Sequence, residues 1–351
     1  MSEPTFDKVL RVASPESESP AERGPVRIEE VAKLAQVSPI TVSRALRRPQ
    51  MVSAVRRERI MKAVEVTGYF SNPHAKALKS GKSDIVAAFV SNILSEQFSL
   101  AIEGLADVLE PAGFQVVLGR TSYSYQRETT LIRSLTAMRP AAVFITGVME
   151  LESNRTFLRN MGVPIMESWA LARDPIDMLV GFSNADGARM VAEHFAQRGH
   201  RKVAFIGRSG GRGMLRLNSF AEHCEQLGLE LCQRISRDTV SGVPEGREAM
   251  QDLLSGHTDI EAVFCASDLL AVGALLEARE RGLQVPGDIA IAGFGDSTLA
   301  EEITPGLTTI AADTRGVGTI AGQMLLERLQ GGKIEQAIRH VPLQLIERGS
   351  T

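Results

Sequence analysis

The chain predicts an N-terminal all-α helix-turn-helix headpiece followed by an α/β core of two parallel-sheet subdomains. Three observations predict it. Residues 31–46, VAKLAQVSPITVSRAL, have the spacing of two short helices joined by a tight turn. Residues 26–83 hold 12 Lys/Arg against 4 Asp/Glu, or +8, whereas residues 84–351 hold 24 against 33, or −9. Past Asp84, short apolar runs alternate with amphipathic stretches, the rhythm of repeated βα units.

Residues 1–25 are rich in Ser, Glu and Pro and read as a disordered leader. They contain no apolar core behind a basic start, so no signal peptide is visible and a cytoplasmic protein is expected. Residues 26–71 form the helix-turn-helix domain. Val31, Ala32 and Ala35 make one apolar face, Val37 sits in the turn, and Val42, Ala45 and Leu46 make the second face. Small residues at 32 and 35 let the helices cross closely. The second helix then projects Pro39, Ile40, Thr41, Ser43 and Arg44 outward, short or hydrogen-bonding groups that fit a major groove. Arg44, Arg47, Arg48, Arg56, Arg57 and Arg59 cluster around it and suit backbone phosphates, which set register without reading sequence. A basic end on an acidic body is the electrostatic footprint of a protein that presents one end to double-stranded DNA. An ordinary solvated helical hairpin would not require such segregation.

Residues 72–83 read as a hinge helix or linker. Asn72 or Ser71 would cap a short helix at about 73–80 with Pro73 in its first turn, and Ala75 and Leu78 share a face.

In the core, IVAAFV (85–90), FQVVLG (114–119), AAVFITG (141–147), VPIMES (163–168), KVAFIG (202–207), AVFCAS (262–267) and DIAIAGFGDS (288–297) read as strands. Helices are expected at 100–112, 127–138, 186–198, 217–227 and 269–281. Nearly continuous apolar strands imply sheets covered on both faces, and some 270 residues exceed one comfortable core. Ligands of such sheets bind beyond the carboxyl ends of the strands, so two facing sheets would leave a cleft between those ends.

Other classes find little support. No G-x-S-x-G, HExxH or P-loop is present, and six scattered histidines lack ligand spacing, so neither a catalytic apparatus nor a metal or cofactor is expected. FIGRSGG (205–211) has glycines after a strand without the dinucleotide-binding order. Cys224, Cys232 and Cys265 form no CxxC pair and read as reduced structural thiols. With 44% apolar residues but no unbroken apolar run of about 20, no membrane span is expected. A sugar-binding protein or a cleft enzyme without a DNA role are the alternatives from other classes.

VAKLAQVSPITVSRAL, followed by VTGYFSNPHAKALKSGKSD, resembles the N-terminal region of the lactose-repressor family of bacterial transcription regulators. GHRKVAFIG, FCASDLLAVGAL, GLQVPGDIAIAGFGDS and LTTIAADTRGVGTIAGQMLLERL extend the resemblance to about residue 348 and to a core similar to periplasmic sugar-binding proteins. Gln36 departs from the usual Gly at a turn position that often needs a left-handed backbone, a cost on the order of 1 kcal/mol. The resemblance implies subdomains of about 84–182 with 314–341, and 183–311 with 342–351. It also implies a homodimer or tetramer, a pseudo-palindromic operator, Leu78 acting as a minor-groove wedge, and release by effector.

Within the family the chain resembles gluconate-utilisation repressors through VSRALRRPQMVS, GFQVVLGRTSYSYQRE and VPIMESWALARDPIDMLVGFSNADGARMV. The resemblance implies a sugar-acid effector, gluconate first, with 2-ketogluconate, another keto or phosphorylated gluconate, or another sugar or nucleoside as alternatives. The effector-binding candidates are Asn92, Gln97, Phe98, Arg120, Tyr123, Glu167, Trp169, Arg216, Ser267 and Asp296. Arg216 aligns with an effector-contacting arginine and would fork a carboxylate. Glu167, Asn92 and Ser267 would take hydroxyls, and Trp169 or Phe98 would cover the carbon chain. Arg208 and Arg212 fit a surface loop equally well, and Asp268 would cap the helix that follows. Gly295 replaces an Asp common in sugar-responsive relatives, which fits an acid better than a neutral hexose.

Overall fold

A computed structural model describes residues 26–47, 49–69, 83–171, 174–238, 242–256 and 259–351. The leader and the hinge candidates Asn72, Ala75 and Leu78 lie outside them. The chain separates into two compact units, residues 1–83 and 84–351.

Among its described residues the first unit contains three α-helices: α1 (Ile28–Leu34), α2 (Pro39–Arg47) and α3 (Ala54–Thr67). Their shared core is Val31, Ala32, Ala35, Val42, Ala45, Ile60 and Ala63, all buried. The turn between α1 and α2 places Gln36 at φ 53°, so this non-glycine residue does adopt the left-handed backbone the position demands. Ser38 Oγ accepts the Thr41 amide at 3.2 Å and bonds the Thr41 hydroxyl at 2.8 Å, which fixes the start of α2.

The second unit holds two six-stranded sheets. The first runs β11-β5-β4-β3-β1-β2, built from β1 (Ile85–Val90), β2 (Gln115–Arg120), β3 (Ala142–Ile145), β4 (Ile165–Ser168), β5 (Met178–Gly181) and β11 (Ile338–His340). The second runs β12-β10-β9-β8-β6-β7, from β6 (Lys202–Arg208), β7 (Glu230–Arg237), β8 (Ala262–Cys265), β9 (Ala290–Phe294), β10 (Thr308–Ala312) and β12 (Leu343–Ile346). Every pairing is parallel except β12 with β10. The central strands β1, β3, β8 and β9 are buried along almost their whole length, which explains their continuous apolar runs.

The helices are α4 (Glu96–Leu109), α5 (Tyr125–Met138), α6 (Glu152–Asn160), α7 (Asn184–Gln197), α8 (Arg212–Leu227), α9 (Val243–Gly256), α10 (Asp268–Glu280), α11 (Thr298–Glu302) and α12 (Thr314–Leu329). Among the expected helices the largest shift is at α8, which begins five residues earlier than the expected 217. Its first turn, RGML, sets a charge and a glycine ahead of Met214 and Leu215 and shows no amphipathic repeat by itself. β5, β7 and α9 were not expected either. β5 is only four residues long, and β7 is a partly exposed edge strand in which charge interrupts the apolar pattern.

Helix α12 packs on α4 with the backbones in close approach. A Cβ on Gly318 would lie 1.9 Å from the Ala101 carbonyl oxygen, and one on Gly104 would lie 2.3 Å from that of Arg315. The chain therefore crosses between the sheets after β5, returns through α12 and β11, and crosses once more to β12. These crossings set the carboxyl ends of both sheets around one seam.

Candidate functional site

On the headpiece, α2 buries Val42 and Ala45 and turns the rest of its surface outward. Pro39, Ile40 and Arg44 are exposed, with Ile40 at 69%, while Thr41 and Ser43 are half-buried. A large exposed aliphatic beside a guanidinium, on a helix opened by proline, suits thymine methyls and guanine edges. Arg56 and Arg57 are exposed on α3. Arg47 closes α2, and its side chain is outside the described residues.

In the core, a cleft of about 480 Å³ opens between the two sheets. Ser91 at the end of β1 donates its amide and hydroxyl hydrogens to Thr146 at the end of β3, at 3.0 and 3.1 Å, closing its floor. Asn92, Gln97, Phe98, Tyr123, Trp169, Arg216 and Ser267, seven of the ten expected effector residues, line it. Phe98 meets the edge of Trp169 with centroids 4.8 Å apart, and Trp169 in turn approaches Phe182 at 6.4 Å. The only tryptophan is thus both core packing and cleft wall.

Three expected residues lie elsewhere. Arg120 is exposed at the end of edge strand β2 and does not line the cleft. Its neighbour Thr121 does, because successive residues at a strand end point to opposite sides. Glu167 is fully buried beneath the cleft wall. Its carboxylate accepts the Met149 and Ile176 amides, both at 2.7 Å, and lies 3.7 Å from Arg155 Nη1. Burial raises its pKa, against the pull of those amides and of Arg155. It is a staple for the 149–176 region, not a hydroxyl acceptor for a ligand. Asp296 turns its carboxylate to Arg348 Nη2 at 2.7 Å and lines only a smaller cavity beside Gln97.

Two further roles change. Ser267, not Asp268, caps α10, accepting the Leu270 amide at 3.4 Å. Asp268 is buried inside the second sheet and accepts from the Thr309 hydroxyl at 2.5 Å and the Ser297 amide at 2.7 Å; burial raises its pKa. Gly295 has its own reason: a Cβ there would lie 1.6 Å from Gln97 Nε2, so glycine admits the Gln97 amide to the seam.

Arg208 and Arg212 are cleft walls. Arg208 lies over the Tyr123 ring at 4.9 Å and donates to the carbonyls of Asp238, Gly210 and Tyr123. Arg212 lies 5.5 Å from the Phe98 ring centre and donates to the Thr146 carbonyl at 3.1 Å. Arg216, buried, stacks 3.4 Å over Phe294 and donates to Asn184 Oδ1 at 2.9 Å and to the Ala266 carbonyl. Among the described residues, none of the three makes an ion pair with a carboxylate. The glycines of RSGGRG (208–213) after a strand were the signal that could have placed Arg212. Tyr125 and Glu150, hydrogen-bonded to each other at the cleft wall, carried no sequence signal at all. The Glu150 bond and burial push the Tyr125 hydroxyl up to about 12.

A clasp crosses the mouth of the cleft: Glu96 at the start of α4 accepts the Thr298 amide at 2.9 Å and the Thr298 hydroxyl. Among the described residues, no group of three or more His, Cys, Asp or Glu side chains could hold a metal, and no helix is long and apolar enough to cross a membrane.

Residues 27–72 match the family model described as bacterial regulatory proteins, lacI family, and residues 192–351 match that of a periplasmic binding protein-like domain. The HTH-type transcriptional regulator GntR of Pseudomonas aeruginosa is 34% identical over 330 residues, spanning 92% of this chain and 95% of that protein. The HTH-type transcriptional repressor CytR of Escherichia coli is 30% identical over 330 residues, spanning 92% and 96%. A LacI-family transcriptional regulator from Silicibacter pomeroyi shares the fold with a TM-score of 0.86 at 28% identity, over 93% of this chain and 99% of that one.

Proposed function

The chain belongs to the lacI family of bacterial regulatory proteins, and from that premise we propose that it represses sugar-acid catabolic genes and is released from its operator by a gluconate-type effector. A dimer of headpieces reads a pseudo-palindrome, with Ile40, Thr41 and Arg44 at base edges and Arg57 on phosphate. Asn72, Ala75 and Leu78 supply the hinge, Leu78 entering the minor groove at the operator centre.

The observation that carries the ligand class is the row of three arginines in the cleft, held by carbonyls and aromatic rings with no carboxylate partner among the described residues. A neutral sugar would bring those guanidiniums no ion-pair partner, whereas an aldonate carries one oxyanion on a chain of hydroxyls. Asn92 and Ser267 take hydroxyls, and Phe98 and Trp169 cover the carbon chain. Gluconate is favoured by the resemblance to gluconate-utilisation repressors. Binding across the seam favours one closure angle, and coupling of about 1–3 kcal/mol suffices to release DNA.

Fluorescence anisotropy of the operator, titrated with gluconate, ketogluconates, 6-phosphogluconate, neutral pentoses and purines, tests the reading. Gluconate should weaken operator binding by about tenfold or more. A response confined to a pentose or a purine would overturn the ligand class.

A further inference from the structure

We propose that the effector's oxyanion seats on Arg212, with Arg208 as a second positive charge behind it, while Arg216 organises the cleft floor without carrying the anion. The proposal rests on the sugar-acid reading and names the subsite within it.

A planar guanidinium offers a carboxylate two edges, each with two parallel donors. Arg216 has a bond on both edges: Nε donates to Asn184 Oδ1 at 2.9 Å, and Nη1 donates to the Ala266 carbonyl. Seating an anion bidentately there would break a buried hydrogen bond and strand its acceptor. These bonds instead tie the start of α7 to the end of β8, with the guanidinium stacked on Phe294.

Arg212 is placed differently. Its Nη1 donates to the Thr146 carbonyl at 3.1 Å, and it lies over the Phe98 ring. Thr146 follows β3 and Phe98 stands on α4, so Arg212 reaches across the seam to the first sheet's side from the first turn of α8. Arg208 is locked by three backbone carbonyls and contributes charge more than donors. The amides of Gly211, Arg212 and Gly213, where the RSGGRG loop enters α8, find no protein acceptor among the described residues. The loop must be glycine: Gly211 sits at φ 53°, ψ −132°, and a Cβ on Gly213 would lie 2.4 Å from the Arg208 carbonyl oxygen.

Electrostatics point the same way. Burial, reinforced by the neighbouring charge of Arg212, pulls the Arg216 pKa down to about 9. Burial and Arg208 lower that of Arg212, against the pull of Tyr123 and Glu150. Three like charges along one wall repel each other, and an anion at the middle one relieves both neighbours. Glu150 is the carboxylate beside this seat, its Oε1 within 3.1 Å of where a Gly211 Cβ would stand. Held by Tyr125, it can accept from a ligand hydroxyl next to the oxyanion.

Calorimetry on the full-length protein tests the seat with gluconate, 6-phosphogluconate and the neutral polyol glucitol, on wild type and on Arg212→Gln, Arg212→Lys and Arg216→Gln. Thermal melts show that each variant is folded. Arg212→Gln should lose about 30-fold or more in affinity for the acid and bind acid and polyol alike. Arg212→Lys should keep part of the acid preference, and Arg216→Gln should weaken acid and polyol by a common factor. A carboxylate seat predicts that Arg212→Gln weakens both acids equally; a phosphate seat predicts loss for 6-phosphogluconate alone. Acid preference that survives Arg212→Gln, or disappears in Arg216→Gln, overturns the seat while leaving the sugar-acid reading standing. Wild type that binds neither acid overturns both.

Discussion

Ile40 on the headpiece is 69% exposed, whereas Arg216 in the core is 8% exposed. The proposed DNA-reading residues fall within six consecutive positions of one helix, and the cleft draws on strand ends from residue 89 to residue 299. A helix that reads a long polymer needs a hard convex edge, so its functional side chains stay outside and its small core only holds the angle. A site that encloses a small anion needs low dielectric and donors from several directions, so it must be assembled from distant segments. The two regions therefore fail in different ways, and the sharpest experiments break one and leave the other.

The largest expected effect is Val42→Asp. Val42 is fully buried in a core of seven residues, and an unpaired carboxylate there should cost about 3–5 kcal/mol, enough to unfold the headpiece. Operator binding should vanish while calorimetric effector binding is retained; effector binding lost in parallel would show that the units do not fold independently. The converse is Gly318→Ala, where the new methyl collides with the Ala101 carbonyl and pushes α12 from α4. A loss of about 1–3 kcal/mol should appear in the core's melting transition, with the headpiece transition unmoved.

Smaller effects separate functions within the headpiece. Arg44→Ala should cost about 1–3 kcal/mol in operator binding and relax sequence preference, while Arg57→Ala should mainly flatten the salt dependence. Equal losses on operator and random DNA for both variants would refute the division between reading and gripping.

The smallest effect is a pH slope confined to the core. His194 is buried against the Thr351 hydroxyl at 2.7 Å, and burial holds its pKa below the usual 6.5, with Glu347 pulling the other way. The unfolded chain takes up that proton first as pH falls, so this contribution is complete above about 6.5 and is lost as pH drops through the folded-state value. Glu128, Glu167 and Asp268, raised by burial, act with the opposite sign, in a window that opens upward from the ordinary carboxylate range. Comparing melts of wild type and His194→Gln between about pH 7.5 and 5.5 isolates the histidine: the variant should show the flatter slope. The headpiece has no histidine among its described residues and should not share it.

What the sequence determined by itself was whatever depends on neighbours in the chain. The turn spacing of 31–46 and the outward face of α2 are local, and they were legible because helix periodicity assigns each residue a side. The left-handed position at Gln36 was legible only through the resemblance, which has Gly there. The central strands were legible for the same reason, through continuous apolar runs. Tertiary structure alone decided which arginine is committed and which faces the cleft, because Arg216 is held by Asn184 and Ala266, 32 and 50 residues away. It decided that Glu167 points into the wall and that Asp296 turns to Arg348, 52 residues away. A strand end shows which residues lie near a ligand, but which side each one faces depends on the pleat and on donors arriving from other strands. Those donors are set by the crossings of the chain between the sheets, and no short window of sequence records them.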